Sequence, residues 1–219
     1  MTTPCNNRLG QTCAVIYGAG GHASELRYEM EKENIYVVAF VDDFSSGHIV
    51  EGVPVLTFEE ASNKYKECHW FIAVGDPSSR RVLSKKVAGA ALPVGRFISS
   101  GAHILPTTVI GDGAQVFHGA VISANVRIGD FVIINFGSVI SHDVKIGSFS
   151  TVSPGVHVAG NVSIGEGVWL GVGSSIRNGS AAKPLTVGDW SVVGAGACVI
   201  SEVENNLVVV GVPARPIKG

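Results

Sequence analysis

From Ile98 onward an aliphatic residue returns at every sixth position: Ile98, Ile104, Ile110, Val116, Ile122, Ile128, Ile134, Ile140, Ile146, Val152, Val158, Ile164, Leu170 and Ile176. Four residues after each stands a small or β-branched one, from Ala102 and Thr108 through to Ser174 and Ser180. An α-helix repeats its faces at about 3.6 residues and a flat strand at about 2, so a sustained period of six belongs to neither. A short strand plus a corner fits it. The aliphatic anchor points inward, the smaller residue fits beside the bend, and three such sides close one coil of a parallel β-helix. Such coils predict a column at every eighteenth residue. Gly111, Gly129, Gly147 and Gly165 form one, each followed by a small polar or acidic residue (Asp112, Asp130, Ser148, Glu166), as expected of a corner with unusual backbone angles. The register breaks after Ile176 and resumes at Val187, Val193 and Val199, which predicts a loop over 178–185. The apolar, Pro-bearing stretch 207–216 is suited to cover the open edge of the last coil.

The first half follows another pattern. A buried strand over 13–17 runs into Gly18-Ala19-Gly20-Gly21-His22-Ala23 and then a helix from Ala23 to about Met30. A second strand over 37–41 ends in Asp42 and Asp43, and a third over 70–74 ends in Gly75, Asp76 and Pro77 before a helix from about Ser78 to Ala88. The pattern predicts a small Rossmann-like α/β domain over 1–96 and an all-β helix domain with a capping tail over 97–219. Gly18-x-Gly20-x-x-Ala23, with Asp42 further on, nearly satisfies the dinucleotide fingerprint, whose glycines let amides approach a diphosphate. A nicotinamide enzyme needs a second nucleotide-binding half. The diphosphate of a nucleotide-linked substrate, held near Gly20 and Gly21, therefore fits the length better. His22 either contacts that diphosphate or its sugar, or fills the turn. Asp42 and Asp43 lie where ligands of α/β sheets gather, or are simply solvated. Arg80 either binds phosphate or lies on a solvated helical face.

Composition narrows the classes. A net charge of −2 without a basic run argues against nucleic acid. The opening residues form no apolar leader and no 18-residue apolar run follows, so neither export nor membrane insertion is expected and the cytoplasm is the expected compartment. Cys5, Cys13, Cys68 and Cys198 form no CxxC pair; free, mostly buried thiols are expected, and no metal.

With GAGGHA at 18–23, VDD at 41–43, AVGDPSSRR at 73–81, INFGSVISHDVKIG at 134–147, AGNVSIG at 159–165 and GVPARPIKG at 211–219, the chain resembles the hexapeptide-repeat acyltransferases. Within them it is similar to the PglD- and NeuD-like bacterial nucleotide-sugar N-acetyltransferases. The resemblance implies a left-handed β-helix, a homotrimer with sites between neighbouring subunits, and acetyl transfer from acetyl-CoA to the amine of a nucleotide-linked amino-deoxysugar. It implies His142 as the base with Asp143 as its acidic neighbour, and Asn135 as a sugar contact. Thr151 stands where some relatives carry a histidine near the thioester. Gly75 and Asp76 are implied on the substrate side, and Val172 and Pro213 on the coenzyme side.

Chemistry agrees with that assignment. An amine attacking a thioester must lose a proton, and an imidazole, with its ordinary pKa of about 6.5, accepts one at neutral pH. Asp143 can fix the ring tautomer and stabilise the imidazolium. One coil beyond His142 lies Gly160, preceded by Ala159. With coils about 4.8 Å apart, that predicts a side-chain-free groove for a pantetheine arm, lined by amides of Gly160, Gly171 and Ala195. O-acetylation of a sugar of the sialic acid type would use the same base. A metal-dependent carbonic anhydrase would need three convergent histidines, and the spacing of His118, His142 and His157 does not stack them in one column. A non-catalytic scaffold would need neither His142 nor coenzyme.

Overall fold

The structure, a computed structural model, describes residues 12–217. Cys5, the polar opening segment and the last two residues lie outside the described range. The chain parts into two units: residues up to Gly75 with Ser79–Phe97, and Asp76–Ser78 with Ile98 onward.

In the first unit the apolar run from Cys13 to Tyr17 is at most 3% exposed, the mark of a strand covered on both faces. It forms β1 (Thr12–Tyr17), which pairs in parallel with β2 (Ile35–Val41) on one side and β5 (His69–Ile72) on the other. β4 (Val53–Leu56) continues the sheet beside β2, and β3 (Ile49–Val50) closes it antiparallel, giving the order β3-β4-β2-β1-β5. Helix α1 (Gly21–Lys32) follows Gly20 as its N-cap and buries Ala23, Leu26 and Met30. Helix α2 (Phe58–Lys64) begins at a capping box: Thr57 Oγ1 accepts from Glu60 N, and the Glu60 carboxylate accepts from Thr57 N. Helix α3 (Pro77–Gly89) opens on a proline, a residue preorganised for a first turn.

The expectation of free thiols is corrected for two cysteines. Cys13 and Cys68 form a disulfide across a Cα–Cα separation of 5.1 Å. The reason lies in the sheet: Ala14 of β1 pairs with His69 of β5, so the residue before each meets its counterpart on the adjacent strand. Cys198 is free and half-buried.

The second unit is a parallel β-helix. Its strands lie eighteen residues apart, as in Ile122↔Ile140, Ile140↔Val158 and Ile128↔Ile146, and they stack into three sheets. Anchors from Val116 to Ile176 are at most 3% exposed and form one core cluster. Burial of that aliphatic column is the main stabilising term of such a solenoid. The break leaves the prism over 178–184; Leu185, expected in the loop, is already buried in the ladder and pairs with Val162, as Val187 does with Ile164. The tail strand Val208–Val210 extends the ladder on Val192–Val193, and Arg215–Pro216 returns antiparallel along it.

The glycine column proves different in kind from the corner expected. Gly111, Gly129 and Gly147 do not have positive φ; the left-handed residues come two later, at Gly113, Phe131 and Phe149. Glycine is required instead by proximity, since a Cβ on Gly129 would lie 2.6 Å from Ser148 N and one on Gly147 2.5 Å from Gly165 C. The polar residues after them form a ladder: Asp130 Oδ1 accepts from Asp112 N and Ser148 Oγ from Asp130 N.

Candidate functional site

His142 and Asp143 occupy the corner after the strand Val139–Ile140. Asp143 takes the left-handed conformation (φ 58), one that aspartate tolerates better than most residues. Its Oδ2 lies 2.9 Å from His142 Nδ1, and its Oδ1 accepts from Asn125 Nδ2 at 3.2 Å. The bond to His142, then that to Asn125, holds the Asp143 carboxyl below the usual carboxylate range. A carboxylate only accepts, so Nδ1 carries the proton and Nε2 the lone pair. The His142 side chain is 55% exposed.

The imidazole lies against Gly160. A Cβ there would sit 2.6 Å from both Cε1 and Nε2 of His142. The groove expected at Gly160 is thereby corrected: the glycine is buried and the histidine ring itself fills the space. Gly171 is also buried, its amide committed to Val193 O at 2.7 Å. Thr151 is 4% exposed, with its amide on Val168 O. Val172, Ala195 and Pro213 are exposed.

Asn135 follows the strand Ile133–Ile134, a different sheet of the prism from the strand before His142. Within one chain Asn135, Gly171, Val172 and Ala195 therefore share one edge, while His142 and Gly160 share the next. Two coils beyond His142 a cleft of about 410 Å³ is lined by Arg177, Gly179, Lys183, Ile200 and Glu202 among others. Sequence reasoning did not single it out, although the register break over 178–185 marks its place.

In the first unit, β1 has neighbours on opposite sides, so the loops after β1 and β5 meet at a topological switch point, where open α/β sheets bind ligands. Gly18 (φ 121) permits this approach, since a Cβ there would lie 2.6 Å from Ala73 O. Cβ atoms on Gly20 or Gly21 would meet nothing within 4 Å. His22 stands in the first turn of α1, its Nδ1 3.7 Å from Glu25 Oε2. Asp76 is exposed and accepts from Ser78 Oγ.

Three expected ligand residues are hydrogen-bonded within the loops. Asp42 Oδ1 accepts from the amides of Phe44 and Ser45. Asp43 accepts from Tyr17 Oη and Lys86 Nζ through Oδ2 and from Phe58 N through Oδ1. Desolvation opposes its charge, but these three bonds outweigh it and lower its pKa. Arg80 is fully buried rather than on a solvated face, and its Nη1 donates to the carbonyls of Val74 and Gly75. It ties down the turn at Gly75 from within. Tyr17, Phe58 and Lys86 were not expected to act here; their hydrogen bonds span 15 to 69 residues and leave no local signal.

Among the described residues no group of three or more His, Cys, Asp or Glu converges as a metal cluster, and no helix is long and apolar enough to cross a membrane.

A hexapeptide prism with a histidine–carboxylate pair at a corner defines the class as hexapeptide acyltransferase. Residues 13–87 match the PglD N-terminal domain and residues 107–142 the bacterial transferase hexapeptide (six repeats). The structure is similar to that of PerB from Caulobacter crescentus, solved with CoA and GDP-perosamine, at 32% identity, covering 94% of this chain and 97% of that one, TM-score 0.86. It is similar to WeeI from Acinetobacter baumannii at 30% identity, over 94% and 99% of the two chains, TM-score 0.87. The acetyltransferase domain of PglB from Neisseria gonorrhoeae is 28% identical over 94% and 99%, TM-score 0.84. A Schizosaccharomyces pombe protein named as an acetyltransferase shares 40% identity over 53 residues, and the match spans only 23% of its length. The chain belongs to the PglD-like hexapeptide sugar acetyltransferases and is an acyltransferase.

Proposed function

We propose that this enzyme transfers the acetyl group of acetyl-CoA to the amine of a nucleotide-linked amino-deoxysugar, a 4-amino-4,6-dideoxysugar in bacterial surface glycan synthesis, with His142 as general base. The observation that carries the proposal is the bond from His142 Nδ1 to Asp143, which leaves Nε2 as the basic nitrogen on a half-exposed ring. The amine nitrogen forms a bond to the thioester carbon, the carbon–sulfur bond breaks, and the amine proton passes to Nε2 and on to the departing thiolate. PerB is described with GDP-perosamine and PglB in complex with acetyl coenzyme A, which supports an amine acceptor and this donor. Complexes of a Caulobacter crescentus perosamine N-acetyltransferase with CoA and GDP-perosamine are also known for variants in which one histidine is asparagine or alanine.

In this reading residues 1–96 hold the nucleotide diphosphate over Gly20, Gly21 and His22, Asp76 is a further substrate contact, and residues 97–219 carry out the transfer in the cytoplasm. Asn135 and His142 lie on different edges of one prism, and the coenzyme-side residues Val172 and Ala195 share the edge of Asn135. A homotrimer, in which one chain's edge faces the next edge of a neighbour, would bring these groups into one site. The enzyme incubated with acetyl-CoA and a panel of nucleotide-linked amino sugars should release free CoA, followed with a thiol reagent. His142→Ala should lose about 10² to 10⁴ in turnover. Full turnover in that variant would remove His142 from the mechanism.

A further inference from the structure

We propose that Asn125 is a positioning residue for the base, acting from one coil away; the inference rests on the reading of His142 above. Residues 107, 125 and 143 occupy the same corner in three successive coils. Each is bonded to the next: Asn125 N donates to Thr107 Oγ1 at 2.9 Å, and Asn125 Nδ2 donates to Asp143 Oδ1 at 3.2 Å. Asp143 Oδ2 then meets His142 Nδ1 at 2.9 Å. Asn125 and Asp143 share the same left-handed backbone (φ 58 for both), so the two side chains leave their coils in matching directions.

The need for such an anchor follows from where Asp143 sits. Its side chain is 47% exposed, and the terminal torsion of a carboxylate is broad. Water alone would let it turn away from the ring. An amide N–H on Oδ1 removes that freedom and points Oδ2 at Nδ1, which keeps the proton on Nδ1 and the lone pair on Nε2. Asparagine suits the place twice over, because it tolerates the left-handed backbone and its amide supplies the donor. Aspartate would keep the backbone but place a second carboxylate against the first. Glycine would keep the backbone and supply nothing.

The test therefore uses Asn125→Gly and Asn125→Asp beside His142→Ala, with kcat, KM for both substrates, the pH profile of kcat/KM and thermal midpoints. Asn125→Gly should lose about tenfold in kcat with each KM within about twofold, as expected when an interaction important in the transition state is removed. Asn125→Asp should lose turnover as well. Its added negative charge, several ångströms from the ring, favours the imidazolium and should move the acidic limb of the profile up by about half a unit. A merely structural role would lower the thermal midpoints without moving that limb, and this result would overturn the proposal. Low turnover in His142→Ala with native kcat and profile in both Asn125 variants would overturn it while leaving the base in place. Full turnover in His142→Ala would overturn both.

Discussion

Gly160 has its function through what it lacks. The His142 ring rests where a side chain would stand, with Cε1 and Nε2 each 2.6 Å from the position of a Cβ. Real Cβ atoms do not approach so closely, so Gly160→Ala must push the imidazole off its seat. The backbone at Gly160 is not left-handed, so alanine brings no conformational strain there. The expected outcome is a tenfold or larger fall in kcat with a thermal midpoint close to native, since a small misplacement of a base can cost about 10². Native kcat in that variant would show that the ring position is not needed. Asp143, held below the usual carboxylate range by His142 and then Asn125, stays ionised across neutral pH.

The loops of the small α/β unit are held by a cluster that periodicity could not reveal. Burial first, and then its bond to Asp43, push the Tyr17 phenol up to about 12. For Lys86, desolvation works against the charge, but the bonds to Asp43 and Tyr17 outweigh it and raise its pKa. Both groups have raised folded-state values, so their contribution is present in full below the unfolded pKa, about 10 for tyrosine and about 10.4 for lysine. It is lost as pH rises through the folded values. Tyr17→Phe keeps the ring stacked on Phe58 at 5.6 Å but removes the phenol. It should be about 1 kcal/mol less stable than the native protein at pH 8, and the difference should shrink towards pH 12. Denaturant midpoints at the two pH values measure this, and an unchanged gap would exclude the coupling. The helical strands of the prism were legible because each anchor faces the same core at a fixed interval. The internal bonds of Asp43 and Arg80 were not legible because their partners (Tyr17, Lys86, Val74 and Gly75) are set by tertiary approach. α2 lay between: its Thr57–Glu60 capping box is visible in the sequence, but a helix of 7 residues has too few turns to show a period.

At the scale of the molecule, two units of different construction share one chain. The Cys13–Cys68 bond closes a loop with sequence separation 55, and the chain-entropy account assigns such a crosslink about 4 kcal/mol, measured values being commonly about 2 to 4. Cys13→Ser, or a thiol reductant, should destabilise the α/β unit by an amount in that range. The β-helix contains neither cysteine and should melt unchanged. Two calorimetric transitions, only one of them sensitive to reductant, are expected; equal sensitivity of both would contradict this separation.

The stacked corners also make the prism a ruler with fixed graduations. Each coil advances the axis by about 4.8 Å, and each hydrogen bond of the Thr107–Asn125–Asp143 series spans eighteen residues, one coil. Within the ladder itself length can thus be added or removed cleanly only in whole coils; the extra residues between Ile164 and Val187 are accommodated by a loop. An inserted copy of 111–128 would hand Asp143 a new asparagine at the same distance, whereas one residue more or fewer inside a strand, with no loop to absorb it, would turn the following anchors out of the core.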